Sequence, residues 1–186
     1  QNGINIIEAD QIVIKNNTIS NSTLAGATIT GGSKLEVYGN KFGTTKDGRS
    51  PGGNTTYNLY VAASTLAAVP VTAPIPVIIG GATAALGNVF AAAASTTASL
   101  YIATLAANST PVTIQGNYIG VCAETTGKGT IYTDNLATCA NTGHGIQADQ
   151  GDITIGGGTG NTIATDGLLG TGNVISNNTK NGIHLI

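Results

Sequence analysis

The two cysteines, Cys122 and Cys139, lie 17 positions apart on either side of a polar, Thr-rich segment. An even pair of cysteines in a chain of this size is typical of a disulfide in a secreted protein. A metal site is the alternative, but zinc-binding cysteines usually have a two-residue spacing, and only His144 follows close by. We therefore predict a Cys122–Cys139 disulfide and no metal centre.

The carboxylates are too sparse for an obvious catalytic site. Asp149 and Asp152 form the best local pair and could contribute to a Ca²⁺ site, which needs several oxygen ligands, but turn residues are the simpler interpretation. Hydrolysis of a glycosidic bond needs two carboxylates across the bond, and a lyase would add an arginine, whereas Arg49 is far away in sequence. His144 is interpreted as a turn histidine. We predict no catalytic residue and no cofactor.

Five asparagines begin an Asn-x-Ser/Thr triplet, the acceptor motif for N-glycosylation. Chains rich in Asn and Thr generate such triplets by chance, so they are candidates only if the host glycosylates surface proteins. Asn54 is the strongest candidate because it lies in a segment predicted to protrude. The candidate acceptors are Asn16, Asn21, Asn54, Asn108 and Asn177.

The composition favours small side chains and many turns. Among 186 residues, 27 are Gly and only 9% are charged, where a typical domain has about 25%. A net charge of −2 without a basic cluster argues against nucleic acid and against an anionic membrane surface as partners. The longest apolar stretches are interrupted by Ser, Thr, Pro and Gly, so we predict no membrane insertion.

An Asn-x-hydrophobic unit recurs along the chain, with separations of 23, 48, 29, 44 and 12 between successive asparagines. The separations of 23, 48 and 44 fit one or two turns of a period near 22 to 24. The units begin at Asn17, Asn40, Asn88, Asn117, Asn161 and Asn173.

Such a period with several short strands per turn predicts an all-β fold, a right-handed parallel β-helix of roughly eight coils. A β-sandwich is the alternative. We expect residues 1–186 to form a single domain, with loop insertions near 44–57 and 120–142.

Alternating apolar residues bounded by Gly, Asn, Asp and Ser predict twelve strands. They lie near residues 4–7, 12–14, 28–29, 35–38, 59–62, 77–79, 100–103, 112–115, 145–148, 153–155, 173–175 and 182–186.

The order of Gly- and Asn-containing units resembles the repeat of large secreted parallel β-helix proteins on microbial surfaces. The units are Gly116 to Gly120, Ala140 to Ile146, Ile155 to Gly157, Gly172 to Asn178 and Asn181 to Ile183. The resemblance implies the fold and an extracellular, cell-surface setting. It implies little about chemistry, because one fold serves both enzymes and passive fibres.

The chain begins and ends with the same phrase, Asn2-Gly3-Ile4 and Asn181-Gly182-Ile183. Either it is a fragment of a longer β-helical protein, or its last coil stacks on the first coil of another copy. We expect a non-enzymatic structural protein that self-associates head-to-tail into a surface filament. The predicted end-coil contacts are Ile4, Ile6, Ile183 and Leu185.

Two other functions remain as alternatives. An adhesin or stalk segment that binds glycans or a host surface would be favoured by a cluster of aromatic residues, but the six tyrosines are scattered along the sequence. A polysaccharide-active lyase or hydrolase would require a carboxylate cluster on one face.

Overall fold

A computed structural model describes residues 1–9, 11–31, 34–62, 76–103, 111–124, 131–132, 137–149, 152–157 and 172–186. The described residues form sixteen short strands, which are arranged in three parallel sheets. A 3₁₀ turn spans Ala84–Leu86. The predicted all-β class is confirmed.

The strands are assigned to sheets A, B and C, in the order in which the chain visits them. Sheet A contains β1 (Ile4–Ile7), β4 (Ala27–Thr30), β7 (Leu59–Ala62), β10 (Ala98–Ile102), β13 (His144–Ala148) and β16 (Ile183–Leu185). Sheet B contains β2 (Ile12–Lys15), β5 (Leu35–Tyr38), β8 (Val77–Gly80), β11 (Val112–Gln115) and β14 (Ile153–Ile155). Sheet C contains β3 (Thr18–Ile19), β6 (Lys41–Phe42), β9 (Val89–Phe90), β12 (Tyr118–Ile119) and β15 (Val174–Ile175).

Each strand pairs in parallel with the strand three places further along the chain. The chain therefore passes through sheets A, B and C in turn and then returns to sheet A, a topology consistent with a parallel β-helix. The described strands make five complete coils, and β16 begins a sixth. The predicted count of eight coils is not confirmed.

The count differs because insertions lengthen individual coils. Residues paired in sheet A are 23 positions apart in the first coil (Ile4 and Ala27) but 46 apart in the fourth (Leu100 and Ile146). The 48 residues between Asn40 and Asn88, which we interpreted as two turns, make up one coil, since β6 pairs directly with β9.

Alternation within each strand places one set of apolar side chains inside the coil. β5 and β7 both alternate buried and half-buried residues, as expected for strands with one face in the core. Phe42 and Phe90, on successive sheet C strands, stack with ring centroids 5.1 Å apart. The core is a column of stacked rungs.

The twelve predicted strands correspond to the strands of sheets A and B and to β15. The other four sheet C strands, β3, β6, β9 and β12, were not predicted as strands. Each has only two residues, too few to show alternation. The predicted insertions near 44–57 and 120–142 both fall in connections from sheet C to sheet A, and the second is only partly within the described residues.

Candidate functional site

The two ends of the coil expose strand edges. At one end β1, β2 and β3 each pair with a described strand on one side only, and β14, β15 and β16 do the same at the other end. The predicted contacts Ile4 and Ile6 pair with the inward residues Ala27 and Ile29, and they are half-buried. They thus form the first rungs of the inner apolar columns.

At the opposite end, Ile183 and Leu185 pair with the inward residues Ile146 and Ala148. Their side chains remain 42% and 54% exposed, because no described strand covers them. The predicted end residues are therefore the outermost rungs of the same columns, at opposite ends of the molecule.

A ladder of five asparagines lines the corner between sheets B and C, each immediately before a sheet C strand. The backbone N–H of each of the first four donates to Oδ1 of the asparagine in the next coil, at 2.9 to 3.0 Å. The side-chain amide donates to the same Oδ1 at 2.9 to 3.2 Å. The members are Asn17, Asn40, Asn88, Asn117 and Asn173.

The side-chain amides also donate to backbone carbonyls of the preceding coil. Asn88 Nδ2 donates to Val37 O of the preceding coil at 2.8 Å, and Asn173 Nδ2 donates to Ile114 O at 2.8 Å. The three central members of the ladder are fully buried. The recurrent Asn-x-hydrophobic unit is thus a ladder asparagine followed by a sheet C strand.

This ladder has a direction. Asn17 Oδ1 accepts no hydrogen bond from a described residue, and the Asn173 N–H donates to none. Within the described residues, one end of the molecule therefore presents a free acceptor, and the other presents a free donor.

A second asparagine column, at the corner between sheets C and A, is incomplete. Asn54 Oδ1 accepts from Ser22 N–H at 3.0 Å, and Asn141 Oδ1 accepts from Ala93 N–H at 2.9 Å. Asn141 Nδ2 donates to Asn178 Oδ1 at 2.9 Å. Ser22 and Ala93 occupy the remaining two positions of this column.

The expectation that Asn54 lies in a protruding segment was wrong, because its side chain is fully buried. Asn54 Nδ2 donates to Asn58 Oδ1 at 2.8 Å and to Ile19 O at 3.2 Å. A glycan could not be attached there without unfolding the corner.

The exposed candidate acceptors are Asn16, Asn21 and Asn177. All three have positive φ values, of 58°, 56° and 51° respectively, a conformation in which asparagine is enriched at tight turns. Asn108 lies outside the described residues.

Three of the six tyrosines form a cluster on the outer surface, although they are scattered in sequence. Tyr60 and Tyr101 are adjacent on β7 and β10, and Tyr57 precedes β7. Their ring centroids are 5.4 to 5.5 Å apart in every pair. The sequence reasoning missed this cluster because the coil that separates Tyr60 from Tyr101 carries an insertion.

Polar groups border the tyrosine cluster. The Tyr101 hydroxyl donates to Asp149 Oδ2, and Gln147 Nε2 donates to Asp149 Oδ1 at 3.1 Å. The hydrogen bond to Asp149, aided by burial, raises the pKa of Tyr101 to about 12. Asp149 is thus engaged with Tyr101 and Gln147. Asp152 is exposed, and its backbone carbonyl accepts from Val112 N–H at 3.1 Å.

His144 begins β13 and stacks on His184 of β16, with ring centroids 4.4 Å apart. Burial, followed by repulsion from His184 and Lys180, lowers the pKa of His144 from 6.5. The neutral ring uses Nδ1 to accept the Asn181 N–H at 3.1 Å. His144 is therefore a strand residue that helps to hold β16, and not the turn residue we predicted.

The predicted disulfide between Cys122 and Cys139 is present, with a Cα–Cα distance of 5.5 Å. Both cysteines are fully buried and pack in a small cluster beside sheet C. Arg49, from the first insertion, lies 4.8 Å from the ring centroid of Tyr132, in the second. The two insertions therefore contact each other.

In the described part of the chain, no three His, Cys, Asp or Glu side chains converge on a possible metal position. Within the same residues, no helix is long and apolar enough to cross a membrane. Comparisons with protein-family profiles, with curated proteins and with solved structures find no match for this chain.

Proposed function

We propose that this chain is a non-enzymatic, extracellular structural protein, a right-handed parallel β-helix whose copies join head-to-tail into a surface filament. The pair of open ends supports this proposal. Unpaired strand edges bind further strands, and a contact between two different ends of one molecule propagates without closing. Apolar rungs that are exposed at one end, such as Leu185 at 54%, and half-buried at the other, such as Ile6, give such a contact an apolar centre.

Two further observations support parts of this proposal. The Cys122–Cys139 disulfide is suited to an oxidising, extracellular compartment. The right-handed sense of the proposed coil is supported by the general rule that crossover connections between parallel strands are right-handed in about 98% of cases.

The test combines electron microscopy with sedimentation velocity over a range of concentrations. The wild-type protein should form filaments, and Ile6→Lys should prevent them because it places a charge on the first inner rung. Val13→Lys is the matched control, since Val13 is an outward residue of β2 that is 54% exposed. A wild-type protein that stays monomeric at every concentration would contradict the proposal.

The tyrosine cluster favours a second function, the binding of glycans. Aromatic faces pack against the apolar C–H face of a sugar ring, and nearby Asp149 and Gln147 could bind hydroxyl groups. Isothermal titration with soluble polysaccharides tests this function. Tyr60→Ala should weaken binding, whereas Tyr38→Ala on sheet B, beside Lys15, should not. Binding that is insensitive to Tyr60→Ala would rule out this site.

A further inference from the structure

The strand at each end of the molecule carries the same sequence pattern. Residues 2–7 read Asn-Gly-Ile-Asn-Ile-Ile, and residues 181–186 read Asn-Gly-Ile-His-Leu-Ile. Both segments include an outermost strand of sheet A, β1 at one end and β16 at the other. In both, the first two apolar residues belong to the inner columns.

Sheet A has six described strands, whereas sheets B and C have five each. If β1 of a second copy stacked on β16, sheets B and C would each lack one strand at the junction. Asn173 and Asn17 of the second copy would then be about 10 Å apart, two strand spacings instead of one. Simple stacking therefore breaks the asparagine ladder and leaves two sheets interrupted.

We infer that the end-to-end contact forms by strand exchange, in which β1 of a second copy displaces β16 and pairs with β13. This inference rests on the proposed self-association and specifies its geometry. The incoming Ile4 and Ile6 then take the places of Ile183 and Leu185 opposite Ile146 and Ala148. In this arrangement β2 and β3 of the second copy pair with β14 and β15, so all three sheets continue across the junction.

The direction of the asparagine ladder fits this junction. Asn173, whose N–H donates to no described residue, meets Asn17 of the second copy, whose Oδ1 accepts from no described residue, at the normal spacing of one strand. Asn17 Nδ2 of the second copy reaches Ile155 O, because the central ladder members bond to the equivalent sheet B carbonyls. The partly buried Ile153, Ile155 and Ile175 become covered by the incoming coil.

β16 is the segment that leaves because it is the one described strand outside the five complete coils, although it pairs with β13 and its His184 stacks on His144. Among the described strands it pairs with β13 alone, and Ile183, Leu185 and Ile186 are 42%, 54% and 72% exposed. β1 instead continues through a four-residue connection into β2 and β3 of the same coil. In a single molecule β16 therefore occupies the position that the second copy needs.

Sedimentation velocity of substitution variants distinguishes the possible junctions. Leu185→Lys weakens β16 and should tighten association by about tenfold or more, whereas Ile6→Lys should weaken it by at least as much. Val13→Lys should leave association unchanged. If both Leu185→Lys and Ile6→Lys weaken association, the filament exists but copies stack on β16, and strand exchange is wrong. If neither the wild-type protein nor Leu185→Lys associates, the proposed self-association fails as well.

A cross-linking experiment reads the register directly, without altering the core. Asn5 and Gln147 lie on the outer face of sheet A, and strand exchange places Asn5 of one copy opposite Gln147 of the next. Asn5→Cys combined with Gln147→Cys should therefore form covalent multimers under oxidising conditions, since paired positions in neighbouring strands satisfy disulfide geometry. Asn5→Cys combined with His184→Cys should not. Multimers from the His184 pair alone would overturn the inference.

Discussion

The corner between sheets B and C and the corner between sheets C and A both use asparagine, but only the first uses it in every coil. At the first corner, five asparagines form an unbroken ladder of backbone and side-chain hydrogen bonds. At the second, Ser22 and Ala93 replace asparagine in two of five coils, and both insertions predicted from the sequence begin there.

The two corners also differ in length. The sheet B to sheet C corner is only two residues long in three coils, for example Gly116 and Asn117 between β11 and β12. Gly116 adopts a φ of 64°. The N–H of the next residue, Asn117, donates to the side-chain oxygen Oδ1 of Asn173. The sheet C to sheet A corner has at least seven residues. Equivalent backbone bonds between coils, such as Thr142 N–H to Ala93 O and Val89 N–H to Asn40 O, are made at both corners, so the side-chain ladder is what distinguishes the first.

The comparison predicts that Asn88→Ala has the largest effect on stability. Asn88 Oδ1 accepts two hydrogen bonds, and its amide donates two, all of them buried. Leaving these partners unsatisfied should lower the free energy of unfolding by about 4 kcal/mol. Asn141→Ala, in the column that already contains Ala93, should cost about 2 kcal/mol. Urea unfolding measures both, and equal losses would show that the two corners are equivalent.

Removing the disulfide should have the next largest effect, confined to the sheet C to sheet A corner. Cys122→Ala with Cys139→Ala opens a loop with a sequence separation of 17, which should cost about 3 kcal/mol in the chain-entropy account. Hydrogen exchange should show lost protection at Tyr132 N–H, which donates to Cys122 O. Protection at Asn88 N–H should persist, and its simultaneous loss would show that the corners unfold together.

Completing the second asparagine column should have the smallest effect on stability, and this effect should be stabilising. Ala93→Asn would supply an Oδ1 acceptor for the Asn54 N–H, in the way that Asn141 serves Ala93. We expect the free energy of unfolding to rise by about 1 kcal/mol. Thermal unfolding tests this expectation against Ala94→Asn, an exposed neighbour outside the column. A destabilised Ala93→Asn variant would mean that the buried position has no room for the amide.

Prediction from sequence succeeded where a strand is long enough to alternate. The strands of sheets A and B were located to within about two residues, since four-residue strands such as Leu35–Tyr38 show alternation clearly. The two-residue strands of sheet C carry no such pattern, and the asparagines before them were recognised only as repeat markers. The disulfide was predicted because the chain contains just two cysteines.

The candidate sites were less predictable, because they depend on the length of each coil. Tyr60 and Tyr101 are 41 positions apart, yet they are neighbours across two paired strands. Asn54 lies in a segment that reads as a polar loop, but it is buried because that segment folds back into the corner column. A fixed period near 23 residues cannot place either residue correctly, since residues paired in sheet A are between 23 and 46 positions apart.

The sequence by itself therefore determined the all-β class, the apolar strands, the recurrent asparagines and the cysteine pair, because these depend on local patterns and on composition. Only the tertiary structure decided the number of described coils, the burial of Asn54, the tyrosine cluster and the free donor and acceptor at the two ends of the ladder. These properties depend on which residues lie one coil apart. Insertions at the corners set the number of residues in each coil, and no local sequence pattern predicts that number.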